Sequence, residues 1–100
     1  MIARIWRGAT ASRDAPDYVQ YLRQTGVKAY TQTPGNRGAW IFWRKVGARA
    51  EFVTVSLWES REAIASFAGP DIDRAVFYPE DDRYLVERDL TVSHYDVESG

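Results

Sequence analysis

Few residues in this chain can do chemistry. Its 100 residues include one histidine and no cysteine, which removes thiolate nucleophiles, cysteine-bound metals and disulfides together. His94, within Thr91-Val-Ser-His-Tyr-Asp-Val97, is the only side chain whose ordinary pKa lies near neutrality, so it could deprotonate a phenol or an enolisable carbon. The alternative is a strand histidine hydrogen-bonded across a sheet. Tyr78, in Phe77-Tyr78-Pro79, could hold a substrate oxygen or pack beneath the proline. Arg4 and Trp6 share one strand face. If that face looks towards helices, the pair makes a site for a flat anionic ligand; if it looks into a subunit contact, they are interface residues. Asp71, Asp73, Glu80, Asp81 and Asp82 lack the spacing of a calcium loop, and no second histidine completes a transition-metal site. They read as helix caps and a solvated face, with no metal.

These groups must be positioned by short elements. Ile2 to Ala9 alternates as a strand, with Ile2, Arg4 and Trp6 opposite Ala3, Ile5 and Arg7. A helix is expected from about Ala15-Pro16, with Ala15, Tyr18, Val19 and Leu22 buried and Gly26 ending it. Thr33 to Gly38 reads as a loop without the strand-to-helix context of a phosphate site, and Ala39 to Val46 as an aromatic strand. There Trp40 and Phe42 share a face opposite Trp43. Gly47-Ala48 suits a type II′ hairpin turn. In the following strand Thr54, Ser56 and Trp58 face one way, and Val53, Val55 and Leu57 the other. Ser60 can cap a helix whose stripe is Ala63, Ile64 and Phe67, stopped by Gly69-Pro70. Pro70 to Val76 reads as a further helical segment, Pro79 to Leu85 as one more turn, and the last strand lies within Val86 to Val97.

The order strand, helix, strand, strand, helix, strand is the split βαβ pattern of the ferredoxin-like α+β fold, a four-stranded antiparallel sheet with helices on one face. The helix-free face carries an apolar patch larger than monomers usually expose, so a homodimer is expected. Aromatic residues make up 14% of the chain, which fits a cavity or an interface. A net charge of −1 argues against nucleic acid as a partner. No apolar run approaches the length of a membrane span and no signal segment is visible, so a cytoplasmic protein is expected.

Trp58-Glu-Ser-x-Glu-Ala-Ile-x-x-Phe67, with the opening Met1-Ile-x-Arg-Ile5 and the closing His94-Tyr-Asp-Val97, resembles the antibiotic-biosynthesis-monooxygenase family, whose members are dimeric α+β barrels. The resemblance implies a pocket between helices and sheet. It also implies a cofactor-independent monooxygenase-like activity on a small aromatic or polyketide-like molecule, in which the substrate's own carbanion reduces oxygen. His94 and Tyr78 are then the catalytic candidates, and Arg4, Trp6, Trp58, Phe67 and Phe77 the substrate-binding ones, with no cofactor. A non-catalytic ligand-binding or stress-linked module, or an isomerase or cyclase using His94, are the alternatives. The haem-degrading branch carries an asparagine on the first strand, a tryptophan late in the second helix and an axial histidine beyond it. Those positions fall here on Trp6 or Arg7, Phe67 and Phe77, and none matches.

Overall fold

The computed structural model describes residues 1–100. Strand β1 (Ile2–Ala11) is followed by a short 3-10 turn, then helices α1 (Ala15–Gln24) and α2 (Gly26–Gln32). Strands β2 (Asn36–Val46) and β3 (Arg49–Trp58), helix α3 (Arg61–Ala68), the single turn α4 (Asp81–Tyr84), and strands β4 (Leu85–Arg88) and β5 (Ser93–Asp96) complete the chain. The sheet is antiparallel throughout, in the order β2-β3-β1-β4, with β5 also paired to β1. No helix is long and apolar enough to cross a membrane.

The expected last strand is thus two strands on one edge. β4 pairs with Gly8 to Thr10 of β1, and β5 with Ile2 to Ile5. Between them the chain leaves the ladder after Asp89, whose N–H still donates to the Arg7 carbonyl at 3.0 Å, because the carbonyls that follow are used elsewhere. The Asp89 carbonyl accepts from the Trp6 indole at 2.9 Å, and the Leu90 carbonyl accepts from Ala75 N–H at 2.9 Å. The count is therefore five strands rather than four.

Three other expectations change. The first helix does not end at Gly26 but breaks at Thr25, whose hydroxyl donates to the Tyr21 carbonyl at 2.7 Å, and resumes as α2. The aromatic strand begins at Asn36 rather than Ala39, because the Asn36 amide donates to the Gly38 and Leu57 carbonyls and stitches the start of β2 to β3. Pro70 to Val76 forms no helix. Its polar groups are instead held by Arg4 and by residues 90–92.

Alternation along the strands is as expected. Ala50, Phe52, Thr54, Ser56 and Trp58 of β3 and Ile2, Arg4 and Trp6 of β1 are buried beneath the helices. Trp58 is fully buried and stacks on Phe67, with Tyr30 edge-on to both rings. Ser60 caps α3 by accepting from Ala63 N–H at 3.1 Å. Gly47, at φ +61 in the hairpin, takes the left-handed position that a II′ turn requires. The opposite face shows Trp40, Phe42 and Tyr95 to solvent beside half-buried Ile5, Val53, Val55 and Leu57.

Candidate functional site

β1 and β3 present Arg4, Trp6 and Thr54 to a cavity roofed by α1, α2 and the Val76-Phe77-Tyr78 segment. Leu22, Tyr30, Asp81 and Val92 complete the walls around a volume of about 30 Å3, room for about one water molecule. The walls are apolar and aromatic with a few polar tips, the composition of a small-molecule site. A cleft of about 470 Å3 lies on the helix-free face between Phe42, Arg44, Val53 and Arg7. That cleft is an open trough in the exposed sheet surface, whereas the cavity gathers buried polar groups.

Arg4 is the dominant group in the cavity. It is 3% exposed because its neighbours on β3 and β5, Ser56 and His94, lie in the layer under the roof. Its guanidinium donates to the Ile72 carbonyl through Nη1 and to the Arg74 carbonyl through Nη2 at 2.9 Å, while Nη1 also meets His94 Nε2 at 3.1 Å. The Phe67 ring lies 5.8 Å from its Cζ. Every one of these partners is neutral. Burial pulls the Arg4 pKa below its ordinary value, yet a guanidinium stays charged. A buried cation without a carboxylate against it is unusual, since buried charges are normally paired.

His94 is placed by this arginine. Arg4 can only donate, so Nε2 must accept, which leaves the proton on Nδ1 facing Asp73 Oδ1 at 3.3 Å. The imidazole side chain is 4% exposed, and burial, with the Arg4 charge second, holds its pKa below the usual imidazole range. The ring does not border the cavity. A base aimed into the pocket is therefore not what this geometry provides. Both ring nitrogens are spent, and the ring spaces Arg4 from Asp73.

The remaining candidates divide. Trp6 and Phe77 line the cavity, edge to face at 6.2 Å. Tyr78 also lines it, and burial raises its phenol pKa. Phe67 touches the site only through Arg4 and the Tyr30 ring. Trp58 lies in the core, its indole donating to Ser56 Oγ at 2.8 Å, and does not reach the cavity.

Asp81 belongs to the site, contrary to its reading as part of a solvated acidic face. It is 4% exposed and accepts from the Tyr18 hydroxyl at 2.9 Å and from Tyr78 N–H at 2.7 Å. Burial, followed by the Asp81 charge, pushes the Tyr18 phenol well above its ordinary pKa. Tyr30 and Thr54 are further cavity residues that the sequence reading did not single out. The available signal was the alternation that put Thr54 on one face with Ser56 and Trp58; its place opposite Trp6 follows from the β1–β3 register. No group of three histidine, aspartate or glutamate side chains is arranged to hold a metal ion.

The architecture is an antiparallel ferredoxin-like sheet with helices on one face. Among solved structures it is similar to a Bacillus cereus protein provisionally described as an antibiotic biosynthesis monooxygenase. The TM-score is 0.69 and the identity 20%, covering 100% of this chain and 94% of that one. It is also similar to the haem-degrader MhuD of Mycobacterium tuberculosis with two haems in its active site, at TM-score 0.61, 20% identity and full coverage of both chains. A point variant of MhuD with two manganese protoporphyrins per active site matches at TM-score 0.58 and 18% identity, covering 100% of this chain and 99% of that one. No family model matches the sequence, and no curated protein does. At these identities the likeness is one of fold.

Haem itself does not fit the residues present. The one imidazole lies outside the cavity with both nitrogens engaged, which leaves no axial nitrogen for iron.

Proposed function

We propose that the protein is a homodimeric, cofactor-independent monooxygenase-like protein that takes a small aromatic or polyketide-like molecule into the cavity beneath Phe77 and Tyr78. The observation that carries this reading is the buried, unpaired charge of Arg4 within an aromatic box. A phenol or enol that has given its proton to solvent before entry is held as its anion by the guanidinium, and such an anion is electron-rich enough at carbon to reduce dioxygen itself. The protein then contributes charge stabilisation, the walls of Trp6 and Phe77, and exclusion of water. The helix-free face supports the dimer. Trp40, Phe42 and Tyr95 are exposed there beside Val53 and Val55, flanked by the surface ion pairs Arg44–Glu51 and Arg49–Glu87.

A ligand-binding module without turnover is the second reading, and one observation favours it. No free base borders the cavity, since both Asp81 oxygens accept hydrogen bonds and His94 lies outside. Oxygen uptake and tryptophan quenching, measured over a panel of polycyclic phenols with chelator-treated protein, separate the two. Uptake above the protein-free rate supports the oxygenase; quenching without uptake supports the module; neither signal rejects both.

A further inference from the structure

The cavity is too small for any aromatic ring, since even benzene needs a site on the order of 150 Å3. A ligand therefore enters only if part of the wall moves. The roof from Gly69 to Glu80 contains no helix or strand. It is attached by side chains, Asp73 against His94 and Phe77 between Trp6 and Arg88, and by backbone groups. Glu80 N–H donates to the Tyr21 hydroxyl at 2.9 Å. Arg4 holds the carbonyls of Ile72 and Arg74; Ala75 N–H donates to Leu90 at 2.9 Å, and Val92 N–H to Asp73 at 2.8 Å. Tyr78 N–H donates to Asp81 at 2.7 Å.

The two carbonyls on Arg4 sit one on each terminal nitrogen of the guanidinium. That is the two-acceptor arrangement a carboxylate offers in a bidentate pair. The chain's own backbone thus occupies the positions of an anion, and does so without its charge. Exchanging two neutral acceptors for one carboxylate neutralises the buried cation and frees the residue 72–74 stretch to lift.

We propose that Arg4 is both the latch of this roof and the receptor for an aryl carboxylate, so that an anionic ligand opens its own site by replacing the Ile72 and Arg74 carbonyls. The inference rests on the cavity reading above and adds to it the ligand's charge and the mode of entry. The apolar walls Trp6, Leu22, Phe77 and Val92 take the ring. His94, held opposite Arg4 by the β1–β5 pairing, stays against the guanidinium during the exchange while its contact with Asp73 is released.

The test uses a matched pair, a hydroxynaphthoate and the corresponding neutral hydroxynaphthamide, with binding followed by tryptophan fluorescence and amide hydrogen exchange read at Ala75 and Val92. The carboxylate should bind at least about tenfold more tightly than the amide, as a charge-assisted pair requires, and should speed exchange at both amides. Arg4→Gln should abolish the preference, and Arg4→Lys should keep part of it. Equal binding of acid and amide would overturn anion recognition and leave the pocket reading standing, as would a preference that survives Arg4→Gln. Tighter binding of the acid with unchanged or slowed exchange would overturn the latch. Binding of neither compound would overturn the cavity reading and this inference with it. Should Arg4→Gln fail to fold, the acid–amide comparison on the unaltered protein still decides.

Discussion

Gly8→Ala should cost far more than its chemistry suggests, because the Trp6 indole lies over the glycine. A Cβ at position 8 would fall inside contact distance of Trp6 Cη2, 2.8 Å from Cζ2 and 3.2 Å from Leu85 Cδ2. The indole cannot slide freely, since its N–H donates to the Asp89 carbonyl at 2.9 Å and its edge packs on Phe77. Overpacking of this kind costs about 1–3 kcal/mol, and loss of the buried indole hydrogen bond adds about 1 kcal/mol. The lower backbone entropy of alanine in the unfolded chain returns about 0.4–1 kcal/mol. A net loss of about 1–3.5 kcal/mol follows, or roughly 5–25 °C in Tm for a domain this size. Urea unfolding followed by tryptophan fluorescence measures it, together with the same substitution in a Trp6→Phe background, where the shorter ring should recover more than half of the loss. A Gly8→Ala protein within about 0.5 kcal/mol of the parent, or an equal cost in both backgrounds, would refute the argument.

Three further outcomes are expected. His94 is held below the usual imidazole pKa, so between its folded pKa and the unfolded value of about 6.5 the unfolded chain binds more protons; its stabilising contribution is complete above about pH 6.5 and falls as pH drops. Between pH 7 and 5 the parent should lose more stability than His94→Gln, whose amide oxygen can still accept from Arg4, and equal slopes in urea unfolding would contradict this. The species in sedimentation should have twice the 11.4 kDa chain mass, and Phe42→Glu on the exposed face should yield monomer; a monomeric parent at micromolar concentration removes the dimer from the account. Haem added to the protein should give no Soret shift that depends on His94, so a shift lost in His94→Ala would show that the imidazole can leave Arg4 for iron.

Much of the fold was legible because its determinants are local. Period-two alternation put Thr54, Ser56 and Trp58 on one face, and Ser60, Ile64, Phe67 and Gly69 marked the start, stripe and end of α3. Alternation cannot say which face is covered, so Arg4 and Trp6 stayed ambiguous until the sheet was assembled. The break in the last strand was invisible because it follows from backbone carbonyls at 89 and 90 taken by Trp6 and Ala75, and carbonyls carry no sequence signature. Asp81 reads as solvated in an acidic run, and its burial follows from contacts with the Tyr78 N–H and with Tyr18, 63 positions away. Composition singled out His94 as the one available base. Its engagement by Arg4, 90 positions earlier, is a property of the β1–β5 register that a residue count cannot supply.

The ligand site should be the cavity on the helix side of the sheet, and a crystal structure of the protein with a bound hydroxynaphthoate decides it. The ring should lie between Trp6 and Phe77 with its carboxylate on Arg4, and residues 72–74 should be displaced from the guanidinium. A ring seated instead in the trough beside Phe42 and Arg44, with Arg4 still holding Ile72 and Arg74, would contradict it.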